Sequence, residues 1–294
     1  MAQYNVCMFA HNEEDNIKTS IMSVLEQTSE ALNTFYLIAN GCSDDTVAIA
    51  NQIKQQSFAK MQVVELAIGD KCNAWNHYMH QLNPAADVHF FVDADVNFSD
   101  QCFDKMTNHL MATGAETVTI AGMPLSGRNR AFYESLVKER SCFFGNLYGL
   151  KHAAIERIQS YPFRLPMGLN WIDSFLTKAI NTDLSFGVDN LPNRVTYLDG
   201  VGYHFEKLSP FSTNEISIYI NRIARYELGK IQEKYLDALP LEQWPANMHV
   251  INEQIDENFA TDASDIQFIK RWLVRKRLTK LLTKHRQAEL KAQS

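Results

Sequence analysis

Four short apolar segments alternate with helix-like segments over residues 3–95, and each apolar segment ends in a polar cluster. The apolar segments have the length and composition of buried β-strands, while the segments between them repeat apolar residues at helical spacing. Strands that alternate with helices form a largely parallel sheet. The sequence therefore predicts an α/β fold. Its first four strands are predicted at 3–10, 34–39, 61–66 and 88–92.

The later part of the chain is less regular. It predicts a strand at 116–124, a helix at 130–146 and a pair of strands at 193–205. From residue 213 the pattern is helical, and it ends in a basic helix that begins at about residue 266. We therefore expect a sheet-containing domain over residues 1–205 and a helical C-terminal extension over residues 206–294.

The polar clusters follow the predicted strands directly. They occupy residues 11–15, 40–45, 69–76 and 93–95. In parallel sheets, ligands bind just beyond the carboxyl ends of the strands, and all of these clusters occupy that position. Together they predict one pocket at one edge of the sheet.

The cluster at 93–95 carries the clearest chemistry, because Asp93 and Asp95 are separated by one residue at the end of an apolar strand. In an extended chain, residues i and i+2 face the same side. Carboxylate oxygens, together with substrate phosphates, suit a hard divalent cation such as Mg²⁺ or Mn²⁺. We therefore expect a metal site here, with a solvated acidic turn as the alternative.

Composition excludes several classes of protein. The chain has 294 residues, 46% of them hydrophobic, which is ordinary for a globular protein. It has no run of eighteen apolar residues, so no transmembrane helix is expected, and its N-terminus predicts a strand rather than a signal peptide. Five cysteines without a CxxC pair argue against a zinc site or a disulfide framework and favour a reducing cytoplasm.

Charge is distributed unevenly. Residues 270–291 contain nine Lys or Arg against one Glu, a formal charge of +8, which leaves −14 on the rest of the chain. An acidic body argues against a nucleic-acid partner. The apolar residues of the basic segment are Trp272, Leu273, Leu278, Leu281 and Leu282. A basic amphipathic helix predicts peripheral contact with an anionic membrane; packing on the acidic body is the alternative.

Several motifs, taken in order, resemble glycosyltransferase family 2 enzymes of the GT-A fold. They are HNEEDNI (11–17), NGCSDDT (40–46), GDKCNAWNHYM (69–79), DAD (93–95), NWIDSFL (170–176) and RIARY (222–226). The resemblance spans roughly residues 4–230. It implies a metal-assisted, inverting transfer of a sugar from a nucleoside diphosphate to an acceptor hydroxyl. UDP is the first candidate for the nucleoside diphosphate. The acceptor would be a sugar, a lipid-linked sugar or a polymer, and the cofactor Mn²⁺ or Mg²⁺.

The resemblance also implies roles for individual residues. The nucleotide would be bound by Ala10, His11, Glu13, Asn40, Asp45, Lys71, Asn76, Asp93 and Ala94. The metal would be bound by Asp95 and Asp93, with His204 near the metal or the donor diphosphate. Asp173 would be the catalytic base, with Asp183 and Glu206 as the next candidates. Arg222 and Arg225 would bind phosphates or an anionic acceptor.

Other interpretations stay open at this stage. Glu13 and Asp45 suit the N-terminal ends of helices as well as a nucleotide, and Asp173 suits the first turn of a helix. The two arginines could lie on a solvated helix face. A nucleotidyltransferase would carry a glycine-rich basic loop after the first strand, which HNEED is not. A non-catalytic nucleotide-sugar-binding protein is the remaining alternative.

Overall fold

The chain forms two compact units. The computed structural model describes residues 1–57, 60–82, 84–127, 129–205 and 213–292. The first unit comprises Met1–Pro162 and Leu176–Lys207, and the second comprises Phe163–Phe175 and Leu208–Ser294. The segment that contains Asp173 thus belongs to the mainly helical second unit, whereas the sequence had placed it in a domain ending at residue 205.

The first unit is an α/β unit built on a single large sheet. Its strands are β1 (Tyr4–Ala10), β2 (Leu32–Asn40), β3 (Met61–Leu66), β4 (Val88–Asp93), β5 (Val96–Phe98), β6 (Thr119–Pro124), β7 (Leu147–Lys151) and β8 (Val195–Phe205). Its helices are α1 (Ile17–Glu26), α2 (Thr46–Ser57), α3 (Lys71–His77), α4 (Cys102–Met111), α5 (Arg130–Arg140) and α6 (His152–Gln159). A π-helical turn at Tyr78–Leu82 follows α3, and α7 spans Ile172–Asn181.

The sheet is mostly parallel, as the sequence predicts. In the described part of the chain its order is β3-β2-β1-β4-β7-β6-β8-β5. The first four of these are mutually parallel, and β6 and β8 run in their direction, while β7 and β5 are antiparallel to their neighbours. The fold class is therefore confirmed.

Both faces of the central strands are buried, which explains their continuous apolar runs. Every residue of β1 is buried. Tyr4, Val6 and Met8 belong to a core shared with α1, α2 and α4. On alternate positions Phe9 stacks on Phe91, with ring centroids 6.2 Å apart. Each such side chain contributes about 1.5–3 kcal/mol when it is fully removed from water.

Two sequence predictions in the later part of the sheet are wrong. The predicted helix at 130–146 ends at Arg140, and the undetected strand β7 follows, antiparallel to β4. Gly149 weakens the strand pattern of β7 in the sequence. The structure favours a glycine at this position, because a Cβ there would lie 2.7 Å from the ring of Phe90. The predicted pair of strands at 193–205 is a single strand, β8, interrupted by a bulge between Tyr197 and Gly202.

The second unit contains the helical C-terminal extension that the sequence predicts. Its elements are α8 (Thr213–Asp237), a 3₁₀ turn at Leu241–Gln243, α9 (His249–Glu257), α10 (Phe259–Asp262) and α11 (Phe268–Ala292). Helix α11 packs against α8 and α9.

The apolar side of α11 is largely occupied by this packing. Leu273, Leu278 and Leu282 are buried, whereas Trp272 is 57% exposed. Most of the face that the sequence offered to a membrane is therefore inside the second unit, and the interpretation of a free apolar face is wrong. Membrane contact stays a prediction that rests on Trp272 and its exposed neighbours. No helix among the described residues is both long and apolar enough to span a bilayer.

Candidate functional site

The polar clusters meet at the carboxyl-terminal edge of the parallel strands. Ala10 at the end of β1 is in register with Ala39 of β2, and Phe9 is in register with Asp93 of β4. Asn40, the last residue of β2, is in register with the end of β3. The loops that follow these four strands therefore start side by side.

Asn40 holds the ends of β1 and β2 together. It is buried, and its Nδ2 donates a 2.7 Å hydrogen bond to the carbonyl oxygen of Ala10. Its own carbonyl oxygen lies 2.7 Å from Nδ1 of His11, whose side chain is exposed. Asn40 thus orders the backbone beside Ala10 and His11, the two residues expected to line a nucleotide base.

Two glycines let the second and third loops approach closely. Gly41 has a φ of +64°, and a Cβ placed on it would lie 2.3 Å from the backbone nitrogen of Gly69. A Cβ on Gly69 would in turn lie 2.9 Å from Cε1 of His11. Any larger residue at Gly41 would separate the two loops, because backbone atoms cannot move aside as a flexible side chain can.

An acidic group with one cation occupies the centre of this edge. Lys71, in the first turn of α3, forms an ion pair with Asp93. Asp70 fixes the start of that helix, because its side chain accepts a 3.0 Å hydrogen bond from the backbone of Asn73. Partial burial and the carboxylates of Asp93 and Asp44 raise the pKa of Glu13, despite a hydrogen bond from Asn16.

Asp95 completes the acidic group. Desolvation of its carboxylate by the surrounding protein, followed by the like charges of Asp93 and Glu13, raises the pKa of Asp95 to about 6. Because the Asp95 side chain is exposed to solvent, water offsets much of the desolvation, and we attribute the raised pKa mainly to repulsion by the neighbouring carboxylates. A turn at residues 94–95 brings the two aspartates together, so the expectation of a continuous extended chain is wrong. Ala94 is buried, and its carbonyl oxygen accepts a hydrogen bond from the Ser20 hydroxyl.

Asp93 and Asp95 fit a divalent cation that takes its remaining ligands from substrate phosphate and water. Among the residues that the structure describes, no group of three or more His, Cys, Asp or Glu side chains could hold a metal ion. Asp93 and Asp95 supply two carboxylates, and Mg²⁺ commonly takes one or two carboxylates and completes its shell with phosphate oxygens and water. The mutual repulsion that raises the pKa of Asp95 is what a bound cation would relieve.

At the start of α2, the capping hydrogen bond is accepted by Asp44 rather than by Asp45, the residue expected to do so. The carboxylate of Asp44 accepts hydrogen bonds from the backbone of Thr46 and of Glu14. Asp45 lies exposed at the start of α2. The Thr46 hydroxyl, in turn, accepts a 2.8 Å bond from the backbone of Glu13. Asp44 and Thr46 therefore tie the first and second loops together, which leaves the Asp45 carboxylate available to a ligand.

Three further predicted residues of the first unit are Asn76, His204 and Asp183. Asn76 is half-buried in α3. His204 is exposed near the end of β8, where it is in register with Asn97 of β5, two residues after Asp95. Asp183, an alternative base, is bound by two arginines, Arg157 at 3.2 Å and Arg194 at 2.8 Å. These ion pairs give Asp183 a structural role. Glu206, the other alternative, lies outside the described residues.

In the second unit, Asp173 occupies the first turn of α7. Two residues earlier, Trp171 lies against Tyr226 of α8, with ring centroids 4.2 Å apart. Arg222 and Arg225 precede Tyr226 on α8, and both are exposed. The RIARY motif therefore contacts the NWIDSFL motif through Tyr226.

Sequence reasoning missed residues that act through distant partners. Ser20, Asp44 and Thr46 hold the loops of the first unit, and Arg277 donates a 2.6 Å hydrogen bond to Asn170 in the second. The role of Thr46 could have been inferred from the sequence, since a threonine at the start of a predicted helix often bonds to a neighbouring backbone group. The role of Arg277 could not, because nothing distinguishes it from the other basic residues among the nine in its segment.

The model for glycosyl transferase family 2 matches residues 5–156, which include β1 from its second residue, the whole of β2, β3 and β4, and all four polar clusters. The chain belongs to this family. Membership sets aside the nucleotidyltransferase alternative. No curated protein matches the chain.

Solved structures of similar fold include two glycosyltransferases. The mannosyltransferase PcManGT from Pyrobaculum calidifontis, solved with GDP-Man and Mn²⁺, is 15% identical with a TM-score of 0.60, over 96% of this chain and 83% of that one. Glucosyl-3-phosphoglycerate synthase from Mycobacterium tuberculosis, solved with Mn²⁺, UDP and glucosyl-3-phosphoglycerate, is 18% identical with a TM-score of 0.50, over 76% of this chain and 78% of that one. At these identities the likeness concerns the fold alone.

Proposed function

We propose that this family 2 glycosyltransferase transfers a hexose from a nucleoside diphosphate, UDP being the first candidate, to an acceptor hydroxyl with inversion. One observation carries the proposal: Asp93, Asp95 and Glu13 form an acidic group beside Lys71 where the parallel strands end. The similar structures were solved with GDP-Man and Mn²⁺, or with UDP and Mn²⁺ or Mg²⁺. Synthesis of a polysaccharide or a lipid-linked sugar is the setting that we infer.

The donor would lie along the edge of the sheet. Ala10 and His11 would border the base, with Asn40 holding the backbone beside them. Glu13 and Asp45 would approach the ribose. Asp93 would meet the ribose and the cation, beside the buried backbone of Ala94. Asp95 would hold a cation, with His204 as a further ligand or a contact to the diphosphate. Lys71 and Asn76 would approach the phosphates.

The transfer itself is one displacement. The acceptor hydroxyl oxygen attacks the anomeric carbon on the face opposite the leaving group, so the configuration at that carbon inverts. The bond from the anomeric carbon to the diphosphate oxygen breaks, and the diphosphate leaves with the electron pair. Asp173 accepts the proton from the attacking hydroxyl. A divalent cation, when bound, offsets negative charge on the diphosphate.

Donor binding tests the proposal directly. The full-length protein is titrated with UDP-, GDP- and dTDP-sugars in the presence of Mn²⁺, Mg²⁺ or EDTA, followed by an assay of donor hydrolysis. We expect one nucleotide to bind at least about tenfold more tightly with a cation than with EDTA, because the cation neutralises like charges that otherwise face each other. If no nucleotide sugar binds with either cation, the proposed function is wrong.

A pair of variants locates the cation. Asp95→Ala should abolish the difference between Mn²⁺ and EDTA. Asp100→Ala is the matched control, because the Asp100 side chain is 82% exposed and lies outside the acidic group. Unchanged cation-dependent affinity in Asp95→Ala would refute the metal assignment. Binding with no turnover on any acceptor or on water would favour the non-catalytic alternative.

A further inference from the structure

The second unit holds more positive charge than its own carboxylates neutralise. Glu227 on α8 is 8% exposed, and it accepts a 2.9 Å contact from Lys270 of α11 and a 3.4 Å contact from Lys230. Burial alone would raise the pKa of Glu227, but the two lysines outweigh that effect and lower it. This carboxylate is therefore already engaged by two cations.

Two arginines nearby form no ion pair with any residue in the described part of the chain. Arg225 is exposed, and it makes no hydrogen bond or ion pair with any residue that the structure describes. Arg277 of α11 is half-buried, and Nε is its one hydrogen-bonding atom toward the described residues, donating to Asn170 at 2.6 Å. Burial and then the charge of Arg225 lower the pKa of Arg277 to about 10, so the Arg277 guanidinium is positive at neutral pH.

The two arginines flank one short segment. Arg225, Gly229 and Gln232 lie at i, i+4 and i+7 on one face of α8. A Cβ on Gly229 would lie 2.4 Å from Cβ of Trp171, and the backbone nitrogen of Asn170 donates a 3.0 Å bond to Gln232. Arg277 reaches the same segment from α11. Both charges therefore border residues 170–171.

An aromatic surface adjoins these charges. The rings of Trp171 and Tyr226 have centroids 4.2 Å apart, and Nζ of Lys230 lies 4.1 Å from the Tyr226 centroid. Aromatic faces accept the C–H surface of a sugar or polyol, and guanidinium groups bind phosphate or carboxylate through two parallel hydrogen bonds. The two features together suit a molecule with a carbohydrate body and an anionic substituent.

We propose that Arg225, Arg277 and the Trp171–Tyr226 pair form an acceptor subsite for an anionic sugar or polyol that carries a phosphate or a carboxylate. This inference rests on the proposed function, because it assigns the class of acceptor to a sugar transfer. The arginines bind the anionic group, and the aromatic pair contacts the carbon skeleton. The segment they border leads directly to Asp173, two residues beyond Trp171.

Matched pairs of probes test the assignment. Calorimetry on the full-length protein with Mn²⁺ and saturating UDP compares glycerol 3-phosphate with glycerol, and glucuronate with glucose. We expect each anionic probe to bind at least about tenfold more tightly than its neutral counterpart. Arg225→Gln and Arg277→Gln should each weaken anionic probes about tenfold and leave neutral probes unchanged.

Controls separate this inference from the proposed function. Lys234→Gln on α8 and Lys284→Gln on α11 remove exposed positive charges from the same two helices and should behave as wild type. Arg225→Gln should also keep the wild-type melting temperature, because Arg225 makes no hydrogen bond or ion pair with the residues that the structure describes. Equal binding of anionic and neutral probes, or full retention of anionic binding in both arginine variants, overturns the subsite. A parallel loss of UDP affinity assigns the arginines to the donor and also overturns it. Failure of wild type to bind any nucleotide refutes the proposed function instead.

Discussion

Lys71 on α3 forms an ion pair with Asp93 at the end of β4, in the group of carboxylates where the parallel strands finish. Both side chains are 29% exposed, so the pair lies at the surface of the site rather than in the core. Lys71 thus provides positive charge to Asp93 before a cation arrives, and it would face the diphosphate of a bound donor.

Replacement of Lys71 by Met should have opposite effects on metal and nucleotide. Without the lysine, the carboxylates of Asp93 and Asp95 attract a free cation more strongly, and we expect Mn²⁺ alone to bind several-fold more tightly. UDP with Mn²⁺ should bind about tenfold more weakly, because a charged contact to phosphate is lost. Titrations of Mn²⁺ and of UDP measure the two effects, with Lys54→Met on the exposed side of α2 as the control. Parallel changes in both affinities would contradict this role.

Asp173→Asn should separate chemistry from donor binding. The amide cannot accept the acceptor proton, so kcat should fall at least about 100-fold while the affinity for the nucleotide holds. Asp183→Asn is an informative comparison, since that carboxylate binds Arg157 and Arg194. It should lower the melting temperature and largely spare kcat. Near-normal turnover in Asp173→Asn would show that another group is the base.

His89 should make the protein sensitive to acid. It is fully buried, and its ring bonds Tyr78 at 2.9 Å and His152 at 3.0 Å. Burial and then His152 lower the pKa of His89 to about 4, against a normal value of 6.5. The folded state therefore disfavours protonation, and stability is lost as the pH falls from 6.5 to 4, by about 3 kcal/mol in total.

Urea unfolding at pH 7, 6 and 5 checks this expectation. His89→Gln should be less stable at pH 7 but should lose less free energy of unfolding between pH 7 and 5 than wild type. Asp95 acts in the opposite sense, because its raised pKa favours the folded state as the pH falls, so the difference between the two proteins isolates His89. His109→Gln, a histidine bonded to Thr196, serves as the control. An unchanged slope in His89→Gln would rule the mechanism out.

Gly229→Ala should destabilise the second unit, although alanine is the better helix former by about 1 kcal/mol in an ordinary helix. The added Cβ would lie 2.4 Å from Cβ of Trp171 and 3.0 Å from its backbone nitrogen, so residues 170–171 must shift. We expect a lower melting temperature and altered tryptophan fluorescence. Gly187→Ala, whose Cβ would meet one side-chain atom at 3.4 Å, should be close to neutral. Stabilisation by Gly229→Ala would disprove the close contact.

Membrane contact should depend on the exposed start of α11. Phe268, Ile269 and Trp272 are 84%, 73% and 57% exposed, and Nζ of Lys276 lies 5.3 Å from the Trp272 ring. Each basic residue near an anionic surface adds about 1 kcal/mol. Wild type should sediment with anionic liposomes at low salt, and a variant with all three apolar residues changed to Ser should not. Truncation before α11 is a poorer test, because it also removes buried Leu278. Wild type that stays in the supernatant would disprove the contact.

The sequence by itself determined the parallel half of the sheet and the edge where the polar clusters meet. The predicted strand at 61–66 coincides with Met61–Leu66, and the predicted strand at 88–92 lies within Val88–Asp93. Strands buried on both faces must be apolar throughout, and a polar cluster must follow where the chain returns to water. These are local constraints, so they can be read from neighbouring residues. The family motifs lie in the same segments, which is why the chemistry could be anticipated with them.

Only the tertiary structure decided which of these side chains form hydrogen bonds within the protein and which remain available to a ligand. Asn40 looks like a ligand in the sequence but donates to Ala10, and Asp44 rather than Asp45 bonds the backbone of the neighbouring loop. Arg277 and Asn170 are 107 residues apart, and their hydrogen bond exists only because α11 packs beside α8. A hydrogen bond depends on the position of both partners, and no pattern local to one partner specifies where the fold will bring the other.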